Sequence, residues 1–430
     1  MKVQRVERHI ISKGSENFRI LREYCLLSTR LYNRTLYIVR QAFTGKHENI
    51  TEYKDLIRDE RFISEFELSK RMRKLNEKDY LSMPKAQCSQ QTIAQVYKVM
   101  KSFFASLRSY KKNPKAFLGR PRMPHYKDTY NVITFPNQSI SIKNNEIWVN
   151  NKLKLKGLRT DIKDFQQIRF IPQEGCIVME IVYFKEVDDR SNGVNSMGID
   201  IGVNNLAAIT SDNGVSMIVN GRPLKSINQF YNKENAWLSS IYDKSGVKNG
   251  GARERLLRKR RNKINDYFHK ASKRIVEIAK RNNIGKCYIG HNDGWKQKVR
   301  MRERKDKQNF ILIPFNIFIS MLKYKLEEIG CEVVLLNESH TSKCSFLDNE
   351  PICHHEKYIG RRVKRGLFRS GDKRYINADI NASLNMIRRG KGEVFEFSQS
   401  IFNPRKIDTE KKLENPKGYS VEGGCLAHAV

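Results

Sequence analysis

Apolar residues recur at helical spacing in two stretches near the start of the chain. Residues 15–43 and 84–112 carry them three or four positions apart, as at Val96 and Met100, which is typical of amphipathic helices. Between residues 117 and 187 the pattern changes to short alternating runs, such as SISIK and CIVMEIVYF, separated by Pro, Asn and Gly. The pattern therefore predicts a helical region followed by a small β-barrel.

A polar segment that contains glycine, DDRSNGVNS at residues 188–196, is the best candidate for a linker. After it come the apolar runs MGIDIGVNNLAAIT and VSMIV, a long basic helical region over 223–283, and the short strand KCYIG. Residues 314–330 begin with Pro, end with Gly and carry an apolar face, as a complete helix does, and the strand EVVLLNES follows. Strands that alternate with helices predict an α/β domain with a mixed sheet covered by helices.

Charge changes this picture from a generic α/β protein to one that binds a polyanion. The 430 residues include 81 Lys and Arg against 46 Asp and Glu, which gives a formal net charge of +35. An enzyme acting on neutral molecules has no need of such a charge. Because basic residues recur throughout the chain, we expect a long basic groove and not a basic tail. The length alone predicts more than one domain.

No apolar run approaches the length of a membrane span, and the N-terminus lacks the apolar core of a signal peptide. The eight cysteines are scattered without paired spacing, which is typical of reduced thiols in a reducing compartment. We therefore expect a cytoplasmic protein that contacts no membrane; the sequence predicts no oligomeric state.

Three acidic residues fall at the ends of predicted elements. Asp200 lies in the apolar strand of GIDIGVNN, Glu338 closes EVVLLNES, and Asp379 opens the helix of NADINASLN. A carboxylate in an apolar strand is costly unless something pairs with it. Two Mg²⁺ or Mn²⁺ ions held by such carboxylates can activate water and stabilise the leaving oxygen of a phosphodiester. Each acid alone is also compatible with a helix cap or a solvated surface charge.

These segments resemble a known family. GIDIGVNNLA, the TSK of ESHTSKCSF, and NADINASLN resemble the RuvC-type motifs of transposon-encoded TnpB proteins, which compact type V CRISPR effectors share. The resemblance extends to GRPRMPHYK at 119–127, WKQ at 295–297 and QNF at 308–310. It implies an α/β nuclease domain of RNase-H-like (RuvC) type, a guide RNA, and cleavage of target DNA paired to that guide beside a short recognition motif.

The resemblance also implies a domain organisation with five parts. They are a nucleic-acid recognition region of helices and a β-barrel over 1–195, a RuvC-like nuclease core over 196–340, a basic insertion at a degenerate zinc-ribbon position over 341–376, the final nuclease helix over 377–391, and a polar tail over 392–430. We expect the tail to be disordered after about Pro404.

The chain departs from the family at the second catalytic acid. The family has a Glu at the end of the strand before WKQ, where this chain has Gly290. Adjacent strands lie about 4.8 Å apart, so Glu338 on the next strand is predicted to supply the missing carboxylate. The alternative is a broken site in a nuclease-dead, RNA-guided DNA-binding repressor. A junction-resolving nuclease without a guide is a weaker alternative, because it has no need of the large first region.

The zinc ribbon of the family is also incomplete. Cys344 is followed by Leu347 where a second cysteine would fall, and the chain contains no CxxC. Cys353, His354 and His355 are possible zinc ligands together with Cys344, but without paired spacing we expect a metal-free insertion.

Nucleic-acid contacts are predicted in three places, each with an exposed, solvated surface as the alternative. Amide side chains can bridge adenine edges while Lys and Arg meet phosphate, on one helix face or in basic loops. The predicted contact residues are Gln91, Gln95 and Lys98 on a helix, Arg120 and Arg122 in GRPRMP, and Arg361, Arg362, Arg365 and Arg369 in RRVKRGLFRS.

Overall fold

The computed structural model describes residues 2–149, 154–187, 193–247, 250–292, 304–392, 412–413, 420–421 and 424–425. The chain divides into two compact units, Gln4–Lys185 and Glu186–Val430, the second of which also takes in Met1–Val3. We call them the N-terminal and the C-terminal unit. Of the predicted linker, residues 188–192 lie outside the described residues, whereas Asn195 and Ser196 already belong to a strand.

Long helices form much of the N-terminal unit, and the two that the periodicity predicts are present. Ser15 caps the first helix by accepting a hydrogen bond from the Phe18 N–H at 3.2 Å, and Gly45 ends it in the left-handed conformation with φ of 75°. The α-helices of this unit are α1 Glu16–Thr44, α2 Glu65–Lys74, α3 Lys78–Leu81 and α4 Ala86–Lys112.

Strands of the N-terminal region form two small sheets and a two-stranded pair. The strands are β1 Lys2–Ser12, β2 Ile57–Arg58, β3 Phe62–Ile63, β4 Ile133–Pro136, β5 Ser141–Lys143, β6 Glu146–Trp148, β7 Lys154–Arg159, β8 Gln167–Gln173 and β9 Cys176–Glu186. Their order is β1-β9-β8-β4 in one sheet and β5-β6-β7 in the other, and β2 pairs with β3. The first strand is not foreseen by the sequence pattern, and the β-barrel stays a prediction.

The C-terminal unit alternates strands and helices. Its strands are β10 Asn195–Ile201, β11 Asn205–Ser211, β12 Ser216–Asn220, β13 Ile284–Gly290, β14 Glu332–Leu336, β15 Arg361–Lys364, β16 Leu367–Arg369, β17 Tyr375–Asn377, β18 Lys412–Leu413, β19 Ser420–Val421 and β20 Gly424–Cys425. Its helices are α5 Arg222–Lys244, α6 Gly251–Arg281, α7 Arg304–Leu312, α8 Phe315–Glu327 and α9 Ala378–Lys391.

The helical region predicted over 223–283 consists of two helices, α5 and α6. Gly246 has φ of 66°, a left-handed conformation that ends α5, and the chain turns before α6 begins at Gly251. The two helices form a hairpin and pack against each other.

A six-stranded mixed sheet with the order β14-β13-β10-β11-β12-β18 is the centre of this unit. Strands β10, β13 and β14 are parallel, while β11 is antiparallel to both of its neighbours. Helices α6 and α8 share a core with Ile199 on one face, and α9 packs with Ala208 on the other. The mixed sheet covered by helices agrees with the predicted α/β pattern.

Helix α9 approaches the sheet unusually closely at Gly198. A Cβ atom on Gly198 would lie 2.2 Å from the backbone oxygen of Ser383, so only glycine fits there. The Ser383 hydroxyl donates a hydrogen bond to the Gly198 carbonyl at 2.8 Å and exchanges another with Thr210. These contacts fix the height of α9 above β10.

The predicted basic insertion over 341–376 contains the antiparallel sheet β15-β16-β17. Much of the predicted polar tail over 392–430 and all of WKQ at 295–297 lie outside the described residues; the tail contributes the short strands β18 to β20. Within the described part of the chain, no helix is both long enough and apolar enough to cross a membrane.

Candidate active site

Strand register brings two of the three predicted acids to one edge of the mixed sheet. Ile199 of β10 pairs with Ile289 of β13, and Gly290 of β13 pairs with Leu336 of β14. Asp200 therefore stands level with Gly290, and Glu338 follows two residues beyond the end of β14. Because the three strands are parallel, their carboxyl ends meet at the same edge. Helix α9 brings Asp379 to this edge.

Glu338 lies directly against Gly290, where the family pattern has its Glu. A Cβ atom on Gly290 would lie 3.2 Å from Glu338 Oε2 and 3.3 Å from Glu338 Cβ. The same atom would lie 2.6 Å from the terminal methyl of Met386, so a larger residue at this position must displace that flexible side chain. The space that a Glu on β13 would use is thus next to an existing carboxylate.

Asp379 lies in the first turn of α9, where the N-cap residue Asn377 accepts hydrogen bonds from the backbone N–H groups of Asp379 and Ile380. Its carboxylate accepts a hydrogen bond from the Asn205 amide at 2.6 Å and forms an ion pair with the Arg362 guanidinium at 3.1 Å. A residue predicted to contact nucleic acid, Arg362, therefore lies at the acidic cluster.

The surroundings of Asp200 disfavour the charged form of its carboxylate. Burial raises the pKa of Asp200 well above its usual range, and the nearby carboxylates of Asp379 and Glu338 raise it further, while Arg362 lowers it. Burial also raises the pKa of Glu338, which His291 and the hydrogen bond from Asn292 lower. Negative charges that converge where water is scarce are stabilised by a bound cation.

The donor set fits divalent metal in kind, because Mg²⁺ and Mn²⁺ prefer carboxylate oxygens. Among the described residues, however, no group of three or more His, Cys, Asp or Glu side chains has the arrangement that would hold a metal ion. The Arg362 guanidinium, half exposed, provides the cation beside Asp379 in this arrangement. The carboxylates of Asp200, Glu338 and Asp379 are the groups that would hold a divalent ion at this edge.

Asn292 orients Glu338 through two reciprocal hydrogen bonds. Its amide nitrogen donates to Glu338 Oε1 at 2.9 Å, and its amide oxygen accepts from the Glu338 backbone N–H at 3.2 Å. The Thr341 hydroxyl donates to the Glu338 carbonyl at 2.8 Å. These contacts hold the acid although it lies beyond the end of its strand.

Two buried amides of α9 connect the loop that follows Glu338 to the helix of Asp379. Asn381 accepts a hydrogen bond from the Phe346 N–H at 2.9 Å and donates to the Cys344 carbonyl at 2.9 Å. Asn385 donates to the carbonyls of Thr341 and Cys344 at 2.9 and 2.8 Å. These amides were not predicted from the sequence, although Asn381 and Asn385 are four residues apart and therefore stand on the same face of one helix.

The region predicted as a degenerate zinc ribbon is held by hydrogen bonds to a carboxylate. Glu350, which is only 1% exposed, accepts from the backbone N–H groups of Ser345 and Ile359 at 2.7 and 2.8 Å. The buried Cys344 thiol donates to the Cys353 carbonyl at 3.6 Å, and Cys353 lies 3.4 Å from His355 Nε2. The absence of zinc from this region stays a prediction.

The predicted contact residues of the N-terminal unit differ in their availability. Gln91 lines a cavity of about 680 Å³, and Lys98 is exposed on the same helix. The Gln95 amide oxygen instead accepts a hydrogen bond from Asn131 at 3.1 Å, so it is already engaged. The last two, Arg120 and Arg122, are exposed in a segment without regular secondary structure.

The predicted contact residues of the basic insertion lie on the β15–β16 hairpin. Arg361 and Arg362 are exposed on β15, and Arg365 is exposed in the turn. Arg369 on β16 is partly buried opposite Arg361. The hairpin brings Arg362 to the acidic edge and leaves Arg361 and Arg365 facing solvent.

Two family models match this chain, one from the last residues of the N-terminal unit into the C-terminal unit and one within the C-terminal unit. Residues 180–296 match OrfB_IS605, described as a probable transposase, and residues 315–386 match the Cas12f1-like TNB domain. The second match covers Glu338, Asp379 and the β15–β16 hairpin. The predicted resemblance to TnpB proteins and compact type V CRISPR effectors is confirmed.

Curated relatives carry the same family name. TnpB-like protein MJ0751 of Methanocaldococcus jannaschii is 26% identical over 182 residues, which are 40% of this chain and 62% of that protein. TnpB-like protein ORF457 of Acidianus two-tailed virus is 20% identical over 215 residues, which are 48% of this chain and 44% of that protein. The chain thus spans less than two thirds of the length of either relative.

A solved structure, the Cas12f1-sgRNA-target DNA complex, resembles the fold of this chain. The TM-score is 0.52 at 14% identity, and the match covers 86% of this chain and 82% of that one. At this identity the similarity concerns the fold alone.

Proposed function

We propose that this TnpB-related chain is an RNA-guided DNA endonuclease whose RuvC-like core uses two divalent metal ions. The observation that carries the proposal is the convergence of Asp200, Glu338 and Asp379 at one sheet edge, where burial raises the pKa of Asp200 and the other two acids raise it further. The net charge of +35 supports a nucleic acid as partner, and the fold neighbour is a complex with guide RNA and target DNA.

In this proposal the three acids would hold Mg²⁺ or Mn²⁺, which would supply an activated water and stabilise the charge on the leaving oxygen. Asn292 keeps the Glu338 carboxylate pointed at Gly290, and Asn205 orients Asp379. Arg362 neutralises Asp379 through its ion pair, and its guanidinium would be available to a phosphate if a cation at the acids supplied that charge.

The relocated acid is tested with Glu338→Gln, which keeps the shape of the side chain and removes its negative charge. We expect DNA cutting to fall by orders of magnitude while binding to guided DNA is unchanged. Glu332→Gln is the matched control, because Glu332 is an exposed Glu at the opposite end of the same strand. Glu338→Gln that cuts as fast as wild type would show that another acid completes the site.

A second test restores a carboxylate at the position that is typical of the family. Gly290→Glu added to Glu338→Gln returns a carboxylate to β13, at the cost of displacing the Met386 methyl. Partial recovery of cutting is the expected outcome.

The protein should also carry a structured RNA of discrete length when purified, and recovery of random RNA fragments alone would contradict the proposed guide RNA.

The second candidate function is a nuclease-dead, RNA-guided repressor. It is favoured by Gly290, where the family pattern has its Glu, and by the Arg362–Asp379 ion pair, which places a guanidinium at the acidic edge. Wild-type protein that binds guided DNA but never cuts it, at any Mg²⁺ or Mn²⁺ concentration, would support the repressor over the nuclease.

A further inference from the structure

The hairpin of α5 and α6 carries an aromatic stripe that the proposed chemistry does not use. Phe230 and Trp237 are 54% and 59% exposed, and Ile241 is 38% exposed. These residues are seven and four positions apart on α5, so they lie on one face of the helix. Large apolar side chains in a row on a strongly charged hairpin indicate a surface that binds something.

A small pocket opens beside this stripe. Its volume is about 240 Å³, and Phe230, Tyr231, Leu256 and Ile227 line it together with Lys259 and Lys263. Pockets for drug-sized ligands measure roughly 300–1,000 Å³, so this one suits a single flat ring. Apolar and aromatic walls with cations at the rim match a nucleobase attached to a phosphate backbone.

One wall of the pocket is fixed in place. The Arg260 guanidinium lies 4.9 Å from the centre of the Tyr231 ring and donates to the Asn228 side chain at 2.7 Å and to the Leu312 carbonyl at 2.8 Å. A guanidinium held by three partners is a rigid platform and spends little conformational entropy when a base stacks nearby.

The charge around the pocket favours a polyanion. Residues 251–263 of α6 include seven Arg or Lys and one acid, Glu254. An apolar partner protein or a lipid tail would not call for that density of cations, whereas a phosphate backbone would. The bases must also be unpaired, because a duplex hides the faces of its bases inside the stack.

Topology puts the pocket near the acidic edge. Strand β12 is parallel to β10, since each is antiparallel to β11, so α5 begins at the edge where Asp200 lies. The Lys225 ammonium donates to Asn204 at 2.9 Å, and the next residue, Asn205, donates to Asp379 at 2.6 Å. Phe230 follows Lys225 by five residues, or about 7.5 Å along the helix axis.

We propose that the α5–α6 pocket is a stacking subsite for an unpaired base of the DNA strand that is led to the acidic edge. The inference rests on the proposed function for the identity of that strand. Phe230 takes the face of the base in the pocket, and Lys259 and Lys263 meet the flanking phosphates. Trp237, seven residues further along α5, takes the face of a neighbouring base.

The test measures binding of a fluorescein-labelled oligothymidylate to the full chain in EDTA, so that cutting cannot occur. Phe230→Leu keeps an apolar side chain and removes the ring; we expect affinity to fall roughly tenfold, since stacking of one base contributes 1–3 kcal/mol. Phe230→Tyr keeps the ring and should bind as wild type. Phe184→Leu is the matched control, because Phe184 is a 48% exposed ring in the N-terminal unit.

Three outcomes would overturn the subsite. They are unchanged affinity in Phe230→Leu, an equal loss in Phe184→Leu, and a Phe230 effect seen only with oligouridylate RNA. The binding result is separate from catalysis: a chain that never cuts but loses oligothymidylate affinity in Phe230→Leu contradicts the nuclease and supports the subsite. Unchanged melting temperatures would show that each variant remains folded.

Discussion

Asn292 offers the sharpest test of how the acidic edge is organised, because it holds Glu338 by side chain and backbone at once. Its amide donates to Glu338 Oε1 at 2.9 Å and accepts from the Glu338 N–H at 3.2 Å. Asn292→Ala removes both bonds but none of the three acids. The substitution therefore separates the orientation of a carboxylate from its presence.

The expected loss of activity in Asn292→Ala follows from the energy of the hydrogen bond between the Asn292 amide and the Glu338 carboxylate. A hydrogen bond to a charged group contributes about 1.5–3 kcal/mol, which corresponds to roughly 13- to 160-fold in rate or metal affinity. Loss of groups that orient metal ligands typically costs about 10- to 100-fold. Glu338 is only partly buried, so water replaces some of the lost bond. We expect Asn292→Ala to cut about tenfold to hundredfold more slowly at fixed Mg²⁺.

The assay is a Mg²⁺ titration of cleavage of guided DNA, with the half-saturating concentration measured beside the maximal rate. Half-saturation should move to higher Mg²⁺, and excess metal should restore part of the rate. Asn316→Ala is the matched control, since Asn316 contacts His291 at 3.4 Å and is exposed. A wild-type titration curve for Asn292→Ala would refute the orienting role of this amide.

Three further outcomes are expected. Asp200→Ala and Asp379→Ala should each abolish cutting in Mg²⁺ or Mn²⁺ while gel-shift affinity for guided DNA persists, and full activity in either would remove the site assignment. Gly198→Ala should lower the free energy of unfolding in urea by about 1–3 kcal/mol, because its methyl group would press on the Ser383 carbonyl; Gly14→Ala, with nothing within 4 Å, should not. Elemental analysis of the purified chain should find less than one zinc per molecule, and stoichiometric zinc would contradict the metal-free insertion.

Strong local patterns predicted the elements that carry them. Helices α1 and α4 have long periodic faces, and the apolar strand around Asp200 pairs at the centre of the mixed sheet. The first strand was missed because its partner, β9, lies far away along the chain and its own residues mix charge with apolar side chains. Non-local pairing of this kind leaves little trace in a short window of sequence.

Part of the acidic edge could also be predicted from the sequence and part could not. The three acids were predicted from their positions at the ends of elements, since a strand or helix terminus is where a polar side chain can face a shared edge. Asn292 and Asn385 were missed because an amide in a loop or on a helix is most often a surface residue. Arg362 was predicted as a phosphate contact, and only tertiary structure reveals its ion pair with Asp379.

The carboxyl edge of the parallel strands β10, β13 and β14 has a consequence for how such chains are classified. Neighbouring strands that end in register offer equivalent positions from which a side chain can reach the same space, as Glu338 does beside Gly290. A carboxylate supplied from either strand can therefore reach the same cluster. A survey that scores acidic residues by alignment column would count this chain as lacking one acid, whereas one that scores them by position at the sheet edge would count all three.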